Sequence, residues 1–200
     1  SGRQTFSARL AGSLRLMRSW WVALLVLCAG QCVADEIVRV CYGYGCLAEA
    51  DIRFTEGQLG QVRRLLLAAV DAENERKMIS EAIGRMYAWA GEQSDIHNDR
   101  GGNFADGSVP GKMDCIDHST STTRLLYLLE ARHYLRWHRV LAREPRYFAG
   151  VFLAHWTAVI EEKTDGEAAR FAVDSWFVDN GQPAVILPLD DWKKGAGPDV

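Results

Sequence analysis

The chain has 200 residues, with 23 basic and 26 acidic side chains and 48% hydrophobic residues. The full chain carries a net charge of −3, and the −7 expected after loss of its basic N-terminal segment argues against nucleic acid as the main partner, because phosphate binding needs clustered Lys and Arg. The composition is that of an ordinary globular chain with a sizeable core, one domain by length.

Residues 1–34 read as a secretory signal peptide. Arg3, Arg9, Arg15 and Arg18 precede an apolar run from Trp20 to Leu27, and small residues lead to Cys32-Val33-Ala34 before Asp35. The apolar run is short for a membrane span, which needs about 20 residues. An uncleaved N-terminal anchor is the alternative. Cleavage after Ala34 leaves a single domain at 35–200, with 19 basic against 26 acidic residues and a net charge of −7. The expected location is the bacterial periplasm or the medium, or the periplasmic side of the inner membrane if the anchor stays. Membrane contact is expected only through that segment.

Export changes the reading of the cysteines. Cys28 and Cys32 leave with the signal. Cys41-Tyr-Gly-Tyr-Gly-Cys46 reads as a local disulfide, with Gly43 and Gly45 supplying the bend. Two reduced cysteines or a metal pair are the alternatives. Pairing Cys41 with Cys46 leaves Cys115 unpartnered, a flag for reactivity in a secreted protein.

Asp35 to Val40 alternates and predicts an edge strand. Thr55 with Gln58 has capping-box spacing and opens a helix with Leu59, Val62, Leu66, Ala69 and Val70 on one face. A second helix is predicted from about Glu75 to Ala90. Ser94 to Gly111, dense in Gly, Asn, Asp and Pro, predicts a loop. A third helix is predicted from Cys115 to about Arg132. Its polar Ser119–Thr123 start has poor helix propensity and must be held by tertiary packing. Period-2 runs then predict strands at Trp137–Leu141, Phe148–Ile160, Arg170–Val178 and Ala184–Leu187. Turns are expected at Lys163–Gly166 and Asp179–Gly181. Helices first and antiparallel strands after define an α+β fold.

Cys115 stands where the loop becomes a helix. The N-terminal field of a helix favours an anion, so it is expected to lower the thiol pKa, and the Cys115 N–H is an oxyanion donor candidate. A buried, inert cysteine is the bland alternative. His155 and Asp174 each sit in otherwise apolar strands, where a lone carboxylate needs a partner. A four-residue loop Lys163–Gly166 places His155 directly opposite Asp174. A two-residue Asp165-Gly166 turn makes them diagonal neighbours on the same face. Either way an imidazole meets a carboxylate, the base and orienter of a triad. His118, three residues after Cys115, is a candidate second base or metal ligand. His97, His133 and His138 have polar surroundings and are assigned to surface or loop.

Asp114-Cys115 at a helix start, then His155 and Asp174 on successive strands, resembles the transglutaminase-like branch of the papain superfamily. The chain is similar in particular to the bacterial transglutaminase-like cysteine proteases over residues 75 to 180. The motif carrying this is Lys112-Met-Asp-Cys115-Ile-Asp-His118. The resemblance implies a papain/transglutaminase-like fold, with N-terminal helices packed on an antiparallel sheet. It implies a hydrolase or acyltransferase for peptides or amides that works through a thioester. Cys115 would be nucleophile, His155 base then acid, and Asp174 the orienter. Asp114, His118, Asn103 and Trp176 are candidates for substrate or oxyanion contacts. Family members that bind calcium flank the cysteine with acids; here Ile116 follows it, which counts against calcium, and no cofactor or metal is expected. A non-catalytic domain that binds a peptide or envelope ligand is the second reading. A metal site from Cys115, His118, His155 and an Asp is the third, and it lacks a tight His/Cys cluster.

Overall fold

Strands β1 (Glu36–Tyr42) and β2 (Ala48–Phe54) form an antiparallel hairpin, with Val38 opposite Ile52 and Val40 opposite Ala50. The computed structural model describes residues 35–102, 109–148, 153–164 and 166–198. The expected signal segment 1–34 and the candidate Asn103 lie outside the described residues. The edge strand expected at 35–40 therefore has a partner in 48–54. Period-2 alternation turns Val38, Val40, Ile52 and Phe54 inward, and all four are buried.

Helix α1 (Glu56–Leu67) starts at the expected capping box, where Thr55 accepts from the Gln58 N–H and Gln58 reaches back to Thr55 N. Helix α2 (Ala72–Gly91) starts earlier than its apolar pattern predicts, because Asp71 caps it by accepting from Asn74 N at 2.7 Å. The loop predicted at 94–111 contains a 3-10 turn at Asp95–Asn98. Helix α3 (Cys115–Ala131) follows. Its Ser/Thr run is held from outside, as its propensity requires. Ser121 Oγ accepts from Cys41 N at 2.9 Å, and Thr122 Oγ1 lies 2.9 Å from Ser175 Oγ.

The second half is an antiparallel sheet in the order β3 (His138–Phe148), β4 (Leu153–Glu162), β5 (Arg170–Asp174), β6 (Val185–Pro188). The run expected as one strand from Phe148 to Ile160 divides between β3 and β4. The strand expected to reach Val178 stops at Asp174, whose Oδ1 accepts from Trp176 N at 3.2 Å. That local side-chain bond competes with the ladder and turns the chain. A short helix α4 (Leu189–Lys193), absent from the sequence prediction, closes the chain. The architecture is α+β.

The sheet is buried on both faces. Ala158, Ile160 and Val173 join α1, α2, α3 and the first hairpin in one core. Val159 and Ala172 turn the other way, into a smaller core with Trp176, Phe177, Leu189 and Trp192. Among the described residues no helix is long and apolar enough to cross a membrane.

One histidine assigned to the surface belongs to the interior. His138 is fully buried and its Nδ1 lies 2.8 Å from Glu75 Oε2. Glu75 also accepts from the N–H groups of Arg136 (2.6 Å) and Trp137 (2.9 Å). Its polar sequence neighbours pointed outward, but the buried carboxylate on α2 required three donors, and β3 begins by supplying them. His97 and His133 are exposed.

Candidate active site

Asp114 sets the start of α3. Its Oδ1 accepts from Ile116 N (3.0 Å) and Asp117 N (2.9 Å), while Asp117 Oδ2 accepts from Asp114 N (3.1 Å). This reciprocal cap satisfies the first orphan donors of the helix. The Cys115 N–H acts on its own sulfur and has no other acceptor among the described residues.

The Cys41–Cys46 disulfide is present, with Cα atoms 4.7 Å apart. Its loop lies over the same cap. Tyr44 N (2.8 Å) and Cys46 N (2.5 Å) donate to Asp117, and Gly45 N (3.0 Å) donates to Asp114 Oδ2. Burial pushes the Asp117 carboxyl up, against these donors. Asp114, a candidate for substrate contacts, is thus occupied as a helix cap.

The sulfur of Cys115 sits where the sheet opens. The β4–β5 ladder starts with Ala158 opposite Val173, so the stretch of β4 before it is free on that side. Cys115 Sγ lies 3.8 Å from Ala154 O, and the Trp156 N–H acts on the same sulfur. The thiol therefore contacts the backbone on both sides of His155.

Burial pushes the Cys115 thiol up, and the charges of Asp114 and Asp174 push the same way. This corrects the expected lowering by the helix field. Loss of water and two nearby carboxylates outweigh the N–H groups that favour thiolate.

His155 and Asp174 meet. Extended to them, the ladder register puts Asp174 diagonal to His155, which is the register of the shorter turn. Both belong to the sheet face of Val159 and Ala172. His155 Nε2 lies 2.7 Å from Asp174 Oδ2, and both residues are buried. A carboxylate accepts, so Nε2 is the donor of this pair, and in the neutral imidazole Nδ1 is then the acceptor nitrogen. That Nδ1 has no hydrogen-bond partner among the described residues.

Asp174 has two further donors: Trp192 Nε1 at 2.8 Å on Oδ2, and Trp176 N on Oδ1. The imidazole is walled by Trp176, with ring centroids 4.8 Å apart and edge-on, and by Phe177 and Trp192 at 5.6 Å each. Trp176, a candidate for substrate contacts, is placed as a wall of His155. Arg146, opposite His155 in β3, donates from Nη1 to Trp192 O and Ala196 O at 2.8 Å each and so holds α4.

His118 is spent elsewhere. Its Nε2 lies 2.9 Å from Asp99 Oδ2 and its Nδ1 2.9 Å from Ser175 Oγ. Thr122 and Tyr87 continue this buried chain, and burial pushes the Tyr87 phenol up to about 12. With both nitrogens bonded, His118 offers neither a second base nor a ligand. Among the described residues the one His/Cys/Asp/Glu group spaced for a metal is Cys41, Cys46 and Asp117, and its two sulfurs are bonded to each other.

Sequence reasoning missed Trp192, Asp99, Ser175 and the second role of Asp117. Trp192 lies in a five-residue helix with no periodicity to betray it. Asp117 carried a signal, since an acid three residues after Asp114 is capping-box spacing.

The class defined by fold and site is an α+β domain with a thiol at a helix start beside a buried His–Asp pair. No known protein family, curated protein or solved structure matches the chain.

Proposed function

We propose that the protein is an exported thiol hydrolase or acyltransferase of transglutaminase-like, papain-related architecture, acting on a peptide or amide. The observation that carries this is the buried His155–Asp174 pair, with His155 Nδ1 unbonded among the described residues, on the strand against which Cys115 Sγ rests. His155 Nδ1 takes the thiol proton as the sulfur attacks the carbonyl carbon. The carbonyl oxygen becomes an oxyanion facing the Cys115 N–H. His155 then returns the proton to the leaving amine, and a thioester remains. Water or an amine resolves it. Asp174 keeps the proton on Nε2 and stabilises the imidazolium that forms. The disulfide suits an oxidising compartment, so the periplasm or the medium is the proposed location.

Because burial and the two carboxylates favour the thiol over the thiolate, the test must demand a base. Intact mass measured after exposure to activated acyl probes of differing side chain should show one acyl group on Cys115. It should be absent in Cys115→Ser and slowed roughly 10²- to 10⁴-fold in His155→Ala, the range for a lost general base. The raised thiol pKa also favours a second reading, a peptide- or envelope-binding domain without chemistry. Acylation no faster than that of a free peptide thiol would establish that reading and remove the first.

A further inference from the structure

The Cys41–Cys46 loop does more than staple its own ends. Four successive residues are left-handed: Gly43 (φ 84°), Tyr44 (70°), Gly45 (71°) and Cys46 (57°). Tyr44 and Cys46 pay a steric penalty there that glycine does not. This winding points the N–H groups of residues 44, 45 and 46 at the two carboxylates that cap α3, and Cys115 is the first residue of α3. Closed, the loop gives Asp114 and Asp117 three donors that keep the cap, and hence the nucleophile, in place.

The two sulfurs are not equivalent. Cys41 is fully buried, and its Sγ lies 3.4 Å from Arg124 Nη1. Cys46 is partly exposed. Cys41 Sγ also lies 3.5 Å from Glu49 Oε1, the carboxylate that accepts from the same Arg124 Nη1 at 2.8 Å. The partly exposed Cys46 is the more accessible of the two residues to an attacking thiolate.

We infer that Cys41–Cys46 is a thiol–disulfide exchange site whose state sets the reactivity of Cys115. A dithiol is the co-reactant. One of its thiolates attacks Cys46 Sγ, the S–S bond breaks, and the electron pair leaves on Cys41 Sγ, which takes up a proton. The second thiol of the reagent attacks the mixed disulfide, and Cys46 leaves as a thiolate and is protonated. The dithiol closes to its own disulfide, having supplied two electrons and two protons. The opened loop relaxes from its left-handed winding, the three donors leave Asp114 and Asp117, and the two carboxylates repel across a loosened helix start. This rests on the proposed acyl-transfer reading for the effect on Cys115 chemistry, but the mechanical coupling can be read without it.

The experiment compares the full chain before and after treatment with dithiothreitol, which is then removed by desalting. Thiols at positions 41 and 46 are counted by mass, amide hydrogen exchange is followed at residues 44–46 and 114–118, and acylation of Cys115 is timed. Reduction should speed exchange at both segments while tryptophan fluorescence keeps its folded signature. It should slow acylation about tenfold or more, the scale of one lost charge-assisted hydrogen bond. Reoxidation should restore both. A Cys41→Ser/Cys46→Ser double variant should match the reduced protein and ignore dithiol. Exchange at 114–118 unaltered by reduction overturns the coupling. Global loss of the folded fluorescence also overturns it, since the bond would then be a scaffold for the whole domain. Faster exchange at 114–118 with a Cys115 that no probe acylates in either state upholds the coupling and removes the acyl-transfer reading instead.

Discussion

The surroundings of Cys115, which disfavour its thiolate, separate two kinds of reagent. Iodoacetamide needs preformed thiolate, whereas an acyl substrate can be attacked as His155 removes the proton. Burial, Asp114 and Asp174 hold the thiol pKa above its ordinary value, so the thiolate fraction at pH 7 is below that of a peptide cysteine. Alkylation of Cys115 should therefore lag behind that of an unstructured cysteine peptide at pH 7 and rise as pH climbs through the raised pKa. Stopped-time alkylation across pH 6–10 checks this, and fast labelling at pH 6 contradicts it. Trp192 offers a second test at the same scale. Trp192→Phe keeps a ring against His155 but deletes the donor on Asp174 Oδ2. One hydrogen bond to a buried carboxylate is worth about 1.5–3 kcal/mol, so acylation should fall roughly tenfold or more with near-ultraviolet circular dichroism largely kept. An unchanged rate removes Trp192 from the positioning of Asp174.

Helix α2 and the β5–β6 connection meet without room for a side chain. A Cβ at Gly84 would stand 2.7 Å from Gln182 O and 2.9 Å from Pro183 N. In an exposed helix, Gly→Ala stabilises by about 1 kcal/mol. Here the atoms it meets are backbone, so the sign reverses: Gly84→Ala should destabilise by about 1–3 kcal/mol, the scale of overpacking. Urea denaturation measures it, and a gain in stability contradicts the packing described. The same elements show what could be read in advance. The capping box at Thr55, the apolar stripes of α1 and α2 and the break at Asp114–Cys115 are local signals, and each marks an element; the first stripe, expected to run on through Ala69 and Val70, ends with α1 at Leu67 and leaves Val70 exposed. The His155–Asp174 meeting was legible because the two turn lengths considered shift the register by two residues and so keep the same face. What escaped depends on distant partners. Residues 48–54 alternate clearly, yet only the pairing with β1 makes them a strand. Glu75 and His138 lie 63 positions apart, and neither sequence neighbourhood announces a buried pair. Trp192 reaches Asp174 from a short helix whose end Arg146 holds and whose apolar face packs on the smaller core.

At the scale of the molecule, the deepest electrostatic commitment is Glu75, which joins α2 to the start of β3. Burial raises its carboxyl pKa, but His138 and the N–H groups of Arg136 and Trp137 outweigh burial and hold it below the ordinary glutamate value. A depressed native pKa means that the unfolded chain binds the proton first. The pair's contribution is therefore complete above the unfolded value of about 4.3 and fades as pH falls through the lower native one. Glu75→Gln keeps the shape but leaves three donors facing a neutral amide. Breaking a buried pair costs about 3–5 kcal/mol, so the variant should lose that much at pH 7. The wild type should lose stability below about pH 4.3 through this group, while the variant lacks that part of the decline. Urea melts at a series of pH values from 3 to 7 should show the two curves converging toward acid. Parallel curves over that range would mean that Glu75 carries no linked proton, and that α2 is tied to the sheet by its other contacts, among them Arg76 with Glu162 and Ser80 with Ala184.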